Sequence, residues 1–188
     1  MQVELMPDRT NRHVVALSDF SIPAAPDGRA HFIDTDSGKY LGFVSTGYWY
    51  SGINLPATSN LLISPETYFS RGTRGKRTDV VTFYDGETLE PIDEVEIPPK
   101  RFTAVKMQGT SLLTDDDRFL VVLNFTPAAS VTVVDVEARA VTDDVDIPGC
   151  FNIYPTGNRS FMSLCGNGSV LMLTLSNEGK VETQTRTE

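Results

Sequence analysis

Short runs rich in Val, Ile, Phe and Tyr alternate with polar turns along the whole chain. A strand-turn-strand phrase recurs as HFIDTDSGKYLGFVS (31–45), VTFYDGETLEPIDEVEIP (81–98) and VTVVDVEARAVTDDVDIP (131–148), with a weaker copy, VLMLTLSNEGKVETQTRT (170–187). Asp34, Asp85 and Asp135 hold the same place in it, at steps of 51 and 50 residues, and the fourth turn falls near Asn177. A period of roughly 40–50 residues with several short strands in each unit is the signature of a β-propeller blade. The predicted fold is therefore all-β, with about 3.5–4 four-stranded antiparallel blades.

The first unit, about 13–47, is incomplete; the second spans about 50–98, the third about 102–148 and the fourth about 150–187. Inner strands are expected at YSGINLPAT (50–58) and FTAVKMQGTSLLT (102–114). The middle strands read as continuous apolar runs, as sheets buried on both faces require. The last strand of each unit mixes polar and apolar residues, as an exposed edge should. An open array of blades leaves an apolar sheet face bare at either end. The chain thus reads as the front portion of a larger ring, or as a half that pairs with something.

The chain has 188 residues, a formal net charge of −9 and a pI near 4.7. That balance excludes nucleic acid, whose phosphates need a basic surface. No stretch approaches 18 uninterrupted apolar residues, so no membrane span is expected. The start, MQVELMPDRTNR, lacks a basic segment followed by an apolar one, so no signal peptide is visible. Either the protein stays inside the cell, or the chain is a processed or trimmed one.

Candidate chemistry is sparse. In the blade reading Cys150 opens one inner strand and Cys165 ends the next, an order that allows them to face each other across an antiparallel pair. A bridge and a pair of buried thiols both satisfy that placement; the bridge would contribute about 3 kcal/mol and imply an oxidising compartment. Two such cysteines and the distant His13 and His31 do not make a zinc set, so no metal is expected. Arg71, Arg74, Lys76 and Arg77 form the one basic cluster, in a loop whose glycine spacing fails the phosphate-loop pattern. It reads as a solvated connection or as a charged contact with an acidic partner. Tyr48, Trp49 and Tyr50 crowd the link between the first two units, where they either line a ligand entrance or pack between blades. Asp115, Asp116, Asp117, Asp143, Asp144 and Asp146 fall in a turn and an edge strand, and read as solvated. No G-x-S-x-G nucleophile or triad context occurs, so no catalytic residue is assigned.

One resemblance adds to this reading. TRGKRTDVV (73–81), PPKR (98–101), TPAASVTVVDV (126–136), Gly149-Cys150 and RSFMSLCGNGS (159–169) resemble the large subunit of aromatic amine dehydrogenase and, more distantly, the methylamine dehydrogenase heavy chain. The likeness runs from about residue 30 to the end of the sequence. It implies the N-terminal half of a seven-bladed ring. It also implies a large subunit that holds a small subunit carrying tryptophan tryptophylquinone. There primary amines are oxidised, and electrons pass to a small copper protein of the azurin or amicyanin kind in the periplasm. That quinone is made from two tryptophans; this chain has only Trp49, so the cofactor is expected on the partner. The resemblance carries a substrate-channel role onto Tyr48, with Trp49 and Tyr50 as alternatives, and implies that Cys150 and Cys165 are bridged. The alternative is a non-catalytic binding propeller, a split or degraded relative that self-associates.

Overall fold

The recurring aspartate earns its place through one turn geometry. In the computed structural model, which describes residues 5–7, 13–19, 26–49, 52–103 and 107–187, each such side chain accepts from the backbone two and three residues on. Asp34 Oδ1 accepts from Asp36 N (2.9 Å) and Ser37 N (3.2 Å). Asp85 Oδ1 does so from Glu87 (2.9 Å) and Thr88 (2.8 Å), and Asp135 Oδ1 from Glu137 (2.9 Å) and Ala138 (2.8 Å). This closes the turn without help from any other strand. In the fourth unit the residue that performs it is Ser176 rather than Asn177: its Oγ accepts from Glu178 N at 3.2 Å and Lys180 N at 3.4 Å.

Fourteen strands are described and no helix is present among the described residues. They form four antiparallel meanders, which are β-propeller blades. β1 (Val14–Ser18), β2 (Arg29–Asp34) and β3 (Tyr40–Ser45) make the first sheet; β4 (Leu61–Phe69), β5 (Arg77–Asp85) and β6 (Pro91–Ile97) make the second. β7 (Ser111–Leu113), β8 (Phe119–Asn124), β9 (Ser130–Asp135) and β10 (Ala140–Asp146) make the third. β11 (Cys150–Gly157), β12 (Ser160–Cys165), β13 (Val170–Leu175) and β14 (Val181–Arg186) make the fourth.

The chain divides into two compact units, residues 1–96 with 103–106, and residues 97–102 with 107–188. In the first, Ala30, Phe32 and Val44 pack with Leu62 and Tyr84. In the second, Phe119, Val121, Leu123, Val131 and Val133 pack with Ile153, Phe161, Leu171 and Leu173. The edge strands are exposed as expected, β14 at five of its six positions.

Two expected inner strands are shorter than their sequence indicated. Among the described residues of 50–58 only Asn54 pairs, through a single bridge to Ile63 in which each backbone N–H meets the other's carbonyl. Pro65 explains the stop. It lies two residues beyond Ile63, so its nitrogen faces the same edge of β4 and has no proton to offer. Among the described residues of 102–114 only Ser111–Leu113 is strand, and just before them Arg101 bridges to Asn124. Gly109 turns there with φ +80°, and its carbonyl is taken by Ile153 N at 2.8 Å.

Candidate functional site

The link after β3 occupies the edge of β4 that Pro65 leaves without a strand. Gly47 has φ +71°, and a Cβ there would come within 2.9 Å of Thr67 O and 3.1 Å of Glu66 Cβ, so only glycine lets the link lie this close. Tyr48 N then donates to Thr67 O at 2.7 Å. The Tyr48 ring meets Phe69 edge to face at 5.0 Å and Trp49 at 5.8 Å. Tyr48 and Trp49 are half-buried, while Tyr50 lies outside the described residues. Trp49 holds a left-handed backbone, φ 58°, which is uncommon for a bulky side chain.

Beneath this link lies a group that sequence reading missed. Glu66 is fully buried on β4. Tyr68 Oη lies 2.5 Å and Thr82 Oγ1 2.8 Å from its Oε2, and Tyr84 Oη lies 2.9 Å from its Oε1. Burial pushes the Glu66 carboxyl above its ordinary range, and the surrounding hydroxyls only partly offset it. The signal was available in principle: Ser64, Glu66 and Tyr68 alternate on one face of LLISPETYF, and Thr82 and Tyr84 do so on the partner strand.

At the same end of β4 the basic loop turns back on itself, Ser70 N to Lys76 O and Arg71 N to Arg74 O, both 3.0 Å. Arg71, Arg74 and Lys76 are exposed. Arg77 belongs to β5 instead: its guanidinium grips Asp79 with two bonds of 2.8 and 2.7 Å, and Asp79 is fully buried. A bidentate pair of this kind anchors the base of the loop.

The second unit carries a different cluster. Cys150 and Cys165 are bridged, with Cα atoms 3.8 Å apart at paired positions of β11 and β12. They form one wall of an open cavity of about 680 Å³ whose other walls include Phe125, Pro127, Phe151 and Leu164. Phe102, Phe125 and Phe151 meet edge to face at 5.0 to 5.9 Å.

The carboxylates read as solvated are, in three cases, ties between the third and fourth sheets. Asp115 Oδ2 accepts from Asn158 N at 3.0 Å, Asp116 Oδ2 from Arg159 Nε at 2.6 Å, and Asp143 Oδ2 from Val181 N at 2.8 Å. Among the described residues no group of three or more His, Cys, Asp or Glu side chains is placed to hold a metal ion.

Meander sheets with glycine-tight links and aromatic clusters at the strand ends define a β-propeller scaffold. Solved structures agree on that fold. The chain is similar to "Dihydro-heme d1 dehydrogenase NirN in complex with DHE", with a TM-score of 0.66 at 15% identity, covering 99% of this chain and 37% of that one. It is also similar to BamB from Moraxella catarrhalis, with a TM-score of 0.54 at 12% identity, covering 93% and 46%. A sequence profile narrows the class: the methylamine dehydrogenase heavy chain profile matches residues 15–188, and the chain belongs to that family. It is 31% identical over 150 residues to the methylamine dehydrogenase heavy chain of Methylophilus methylotrophus, covering 80% of this chain and 37% of that protein. Against the heavy chain of Paracoccus versutus it is 33% identical over 162 residues, covering 78% and 38%. The chain therefore spans under two fifths of the length of these two relatives.

Proposed function

We propose that this chain serves as heavy-subunit scaffold in a quinone-dependent amine dehydrogenase. Its family membership over residues 15–188 carries this reading. In it, a small subunit bearing tryptophan tryptophylquinone docks on the propeller, and the quinone supplies the redox chemistry when that subunit is bound. The chain's single tryptophan, Trp49, leaves it without the pair from which such a group is made. What the chain contributes is position and exclusion of water. Tyr48, backed by Phe69 and hydrogen-bonded to Thr67 O, offers a fixed ring beside Trp49 at the mouth of an amine channel. Arg71, Arg74 and Lys76 offer a basic contact to an acidic partner surface, the small subunit or a small copper protein that accepts electrons. The bridged cysteines fit a periplasmic location, where such bonds persist.

The test mixes the full chain with a mature small subunit of the family and follows amine-dependent dye reduction. Activity that needs both chains, with a raised KM for Tyr48→Ala and kcat little changed, is the expected result. Failure of the two chains to associate overturns the reading.

A second reading rests on the fourth sheet. Phe151, Tyr154, Met162 and Met172 share a face that is only half-buried, and Leu164 on the same face is 47% exposed. A non-catalytic propeller that self-associates through that face would explain it. A homodimer that ignores the small subunit favours this second reading.

A further inference from the structure

The single phenol proton of Tyr84 faces two acceptors, and one of the two contacts needs a proton from elsewhere. Tyr84 Oη lies 2.7 Å from the Ser45 carbonyl and 2.9 Å from Glu66 Oε1. A phenol carries one proton, and a carbonyl oxygen can only accept. Tyr84 therefore donates to Ser45 O, and the contact to Glu66 Oε1 needs a proton from the glutamate. Oε2 meanwhile accepts from Tyr68 and Thr82. Both Glu66 oxygens and Tyr84 Oη are satisfied when the carboxyl is the neutral acid.

We propose that Glu66 is held protonated, that its proton runs Oε1–H to Tyr84 and Tyr84 Oη–H to Ser45 O, and that this chain positions the link bearing Tyr48 and Trp49. Ser45 ends β3 and leads directly into that link. The next residues are already bound to the Glu66 strand, with Gly47 against Glu66 Cβ and Tyr48 N on Thr67 O. On ionisation the carboxyl proton passes to a base in solvent. Tyr84 then turns its own proton to the carboxylate, and the Ser45 carbonyl loses its donor.

The charged surroundings agree. The side chains that act on the Glu66 carboxyl from β4 and β5 are hydroxyls: Tyr68, Thr82 and Tyr84 bond to it, and Ser64 lies on the same face. From β6, Glu94 acts on Tyr68, and from the segment before β2 so does Asp27, which is also bonded to Ser45 Oγ and Arg29. Both neighbours are acidic, and Asp27 is paired with Arg29, so neither brings a free positive charge to Glu66. Burial and Glu66 itself push Tyr68 and Tyr84 far above the usual phenol range, so neither becomes a phenolate. Arg77 and Asp79 neutralise each other further along the sheet.

Glu66 is a positioning residue here, and its proton assignment is independent of the enzymatic reading. Trp49, the chain's only tryptophan, is a built-in reporter of the link. Its emission in the full chain is followed against pH together with the infrared carbonyl region. The wild type is expected to show an acid carbonyl band at neutral pH. Raising pH should abolish that band and shift Trp49 emission over the same range. Glu66→Gln, whose amide can donate to Tyr84 as the acid does, should keep the low-pH emission at every pH and lack the band. Identical pH profiles for wild type and Glu66→Gln overturn the proposal. Where Glu66→Gln fails to fold, the wild-type spectrum decides: absence of an acid carbonyl band at neutral pH overturns it equally.

Discussion

The third and fourth sheets share a topology and lie in one unit, yet their middle strands differ. β8 and β9 are buried at all six positions each, whereas β12 and β13 bury every second residue. The composition follows. FLVVLN and SVTVVD place apolar or hydrogen-bonded residues on both faces, Asn124 meeting Ser130 and Thr132 at 3.0 and 2.8 Å. SFMSLC and VLMLTL turn Phe161, Leu171 and Leu173 inward and leave Met162, Leu164 and Met172 outward. The first unit repeats the contrast: β4 and β5 are buried through their middles, and β2 alternates. Burial on both faces marks a sheet covered on both sides, and alternation marks a sheet covered on one.

Neighbouring residues on opposite faces should expose that difference most sharply. On β8, Leu120→Ala and Leu123→Ala should each cost about 2–5 kcal/mol, since both faces are packed. On β13 only one partner of such a pair should matter: Leu173→Ala about 2–5 kcal/mol, Met172→Ala under about 1 kcal/mol. Denaturant midpoints at constant m-value give all four. Equal costs on β13 would break the contrast.

Next in size is the bridge that fixes β11 to β12. Replacing Cys150 and Cys165 by alanine should lower stability by about 2–4 kcal/mol, read as a fall in unfolding midpoint.

The turns give a smaller effect of the same kind. Asp135→Ala removes the acceptor of two backbone N–H groups and of Arg118, and should cost about 2 kcal/mol; Ser176→Ala, in the corresponding turn of the fourth sheet, should cost about half that or less. The pH dependence follows in sign. Burial raises the Asp135 carboxyl, but the Ala138 N–H and Arg118 outweigh it, and the net position is below the ordinary aspartate range. Asp85 is lowered chiefly by the Thr88 and Glu87 N–H groups. Their stabilisation is present above the unfolded aspartate pKa and is lost as pH falls through the folded one. Glu66, raised instead, favours the folded state in acid and loses that advantage as pH rises. Unfolding curves of Asp135→Ala and Glu66→Gln should therefore both approach wild type in acid and part from it in opposite directions as pH rises, Asp135→Ala falling below wild type and Glu66→Gln rising above it.

The smallest effect tests the bare face directly. Met162→Gln with Leu164→Gln should leave stability within about 1 kcal/mol while reducing binding of an apolar dye.

Much of this was legible in the residues. VVTFYD and FLVVLN could only be strands, and the spacing of Asp34, Asp85 and Asp135 marks the turns. The inner strands were overread because YSGINLPAT has strand character, while the obstacle, Pro65, sits on the strand it would pair with. The carboxylate ties were missed because Asn158, Arg159 and Val181 lie 38 to 43 residues away from the aspartates they meet. Glu66 stayed hidden within a strand-like run, its role set by hydroxyls 16 and 18 residues further on.

The most direct test of the scaffold reading is the native mass of the full chain co-expressed with a family small subunit. A complex containing both chains, retained on dilution, is the predicted result. A mass equal to the single chain, with the small subunit left free, would contradict it.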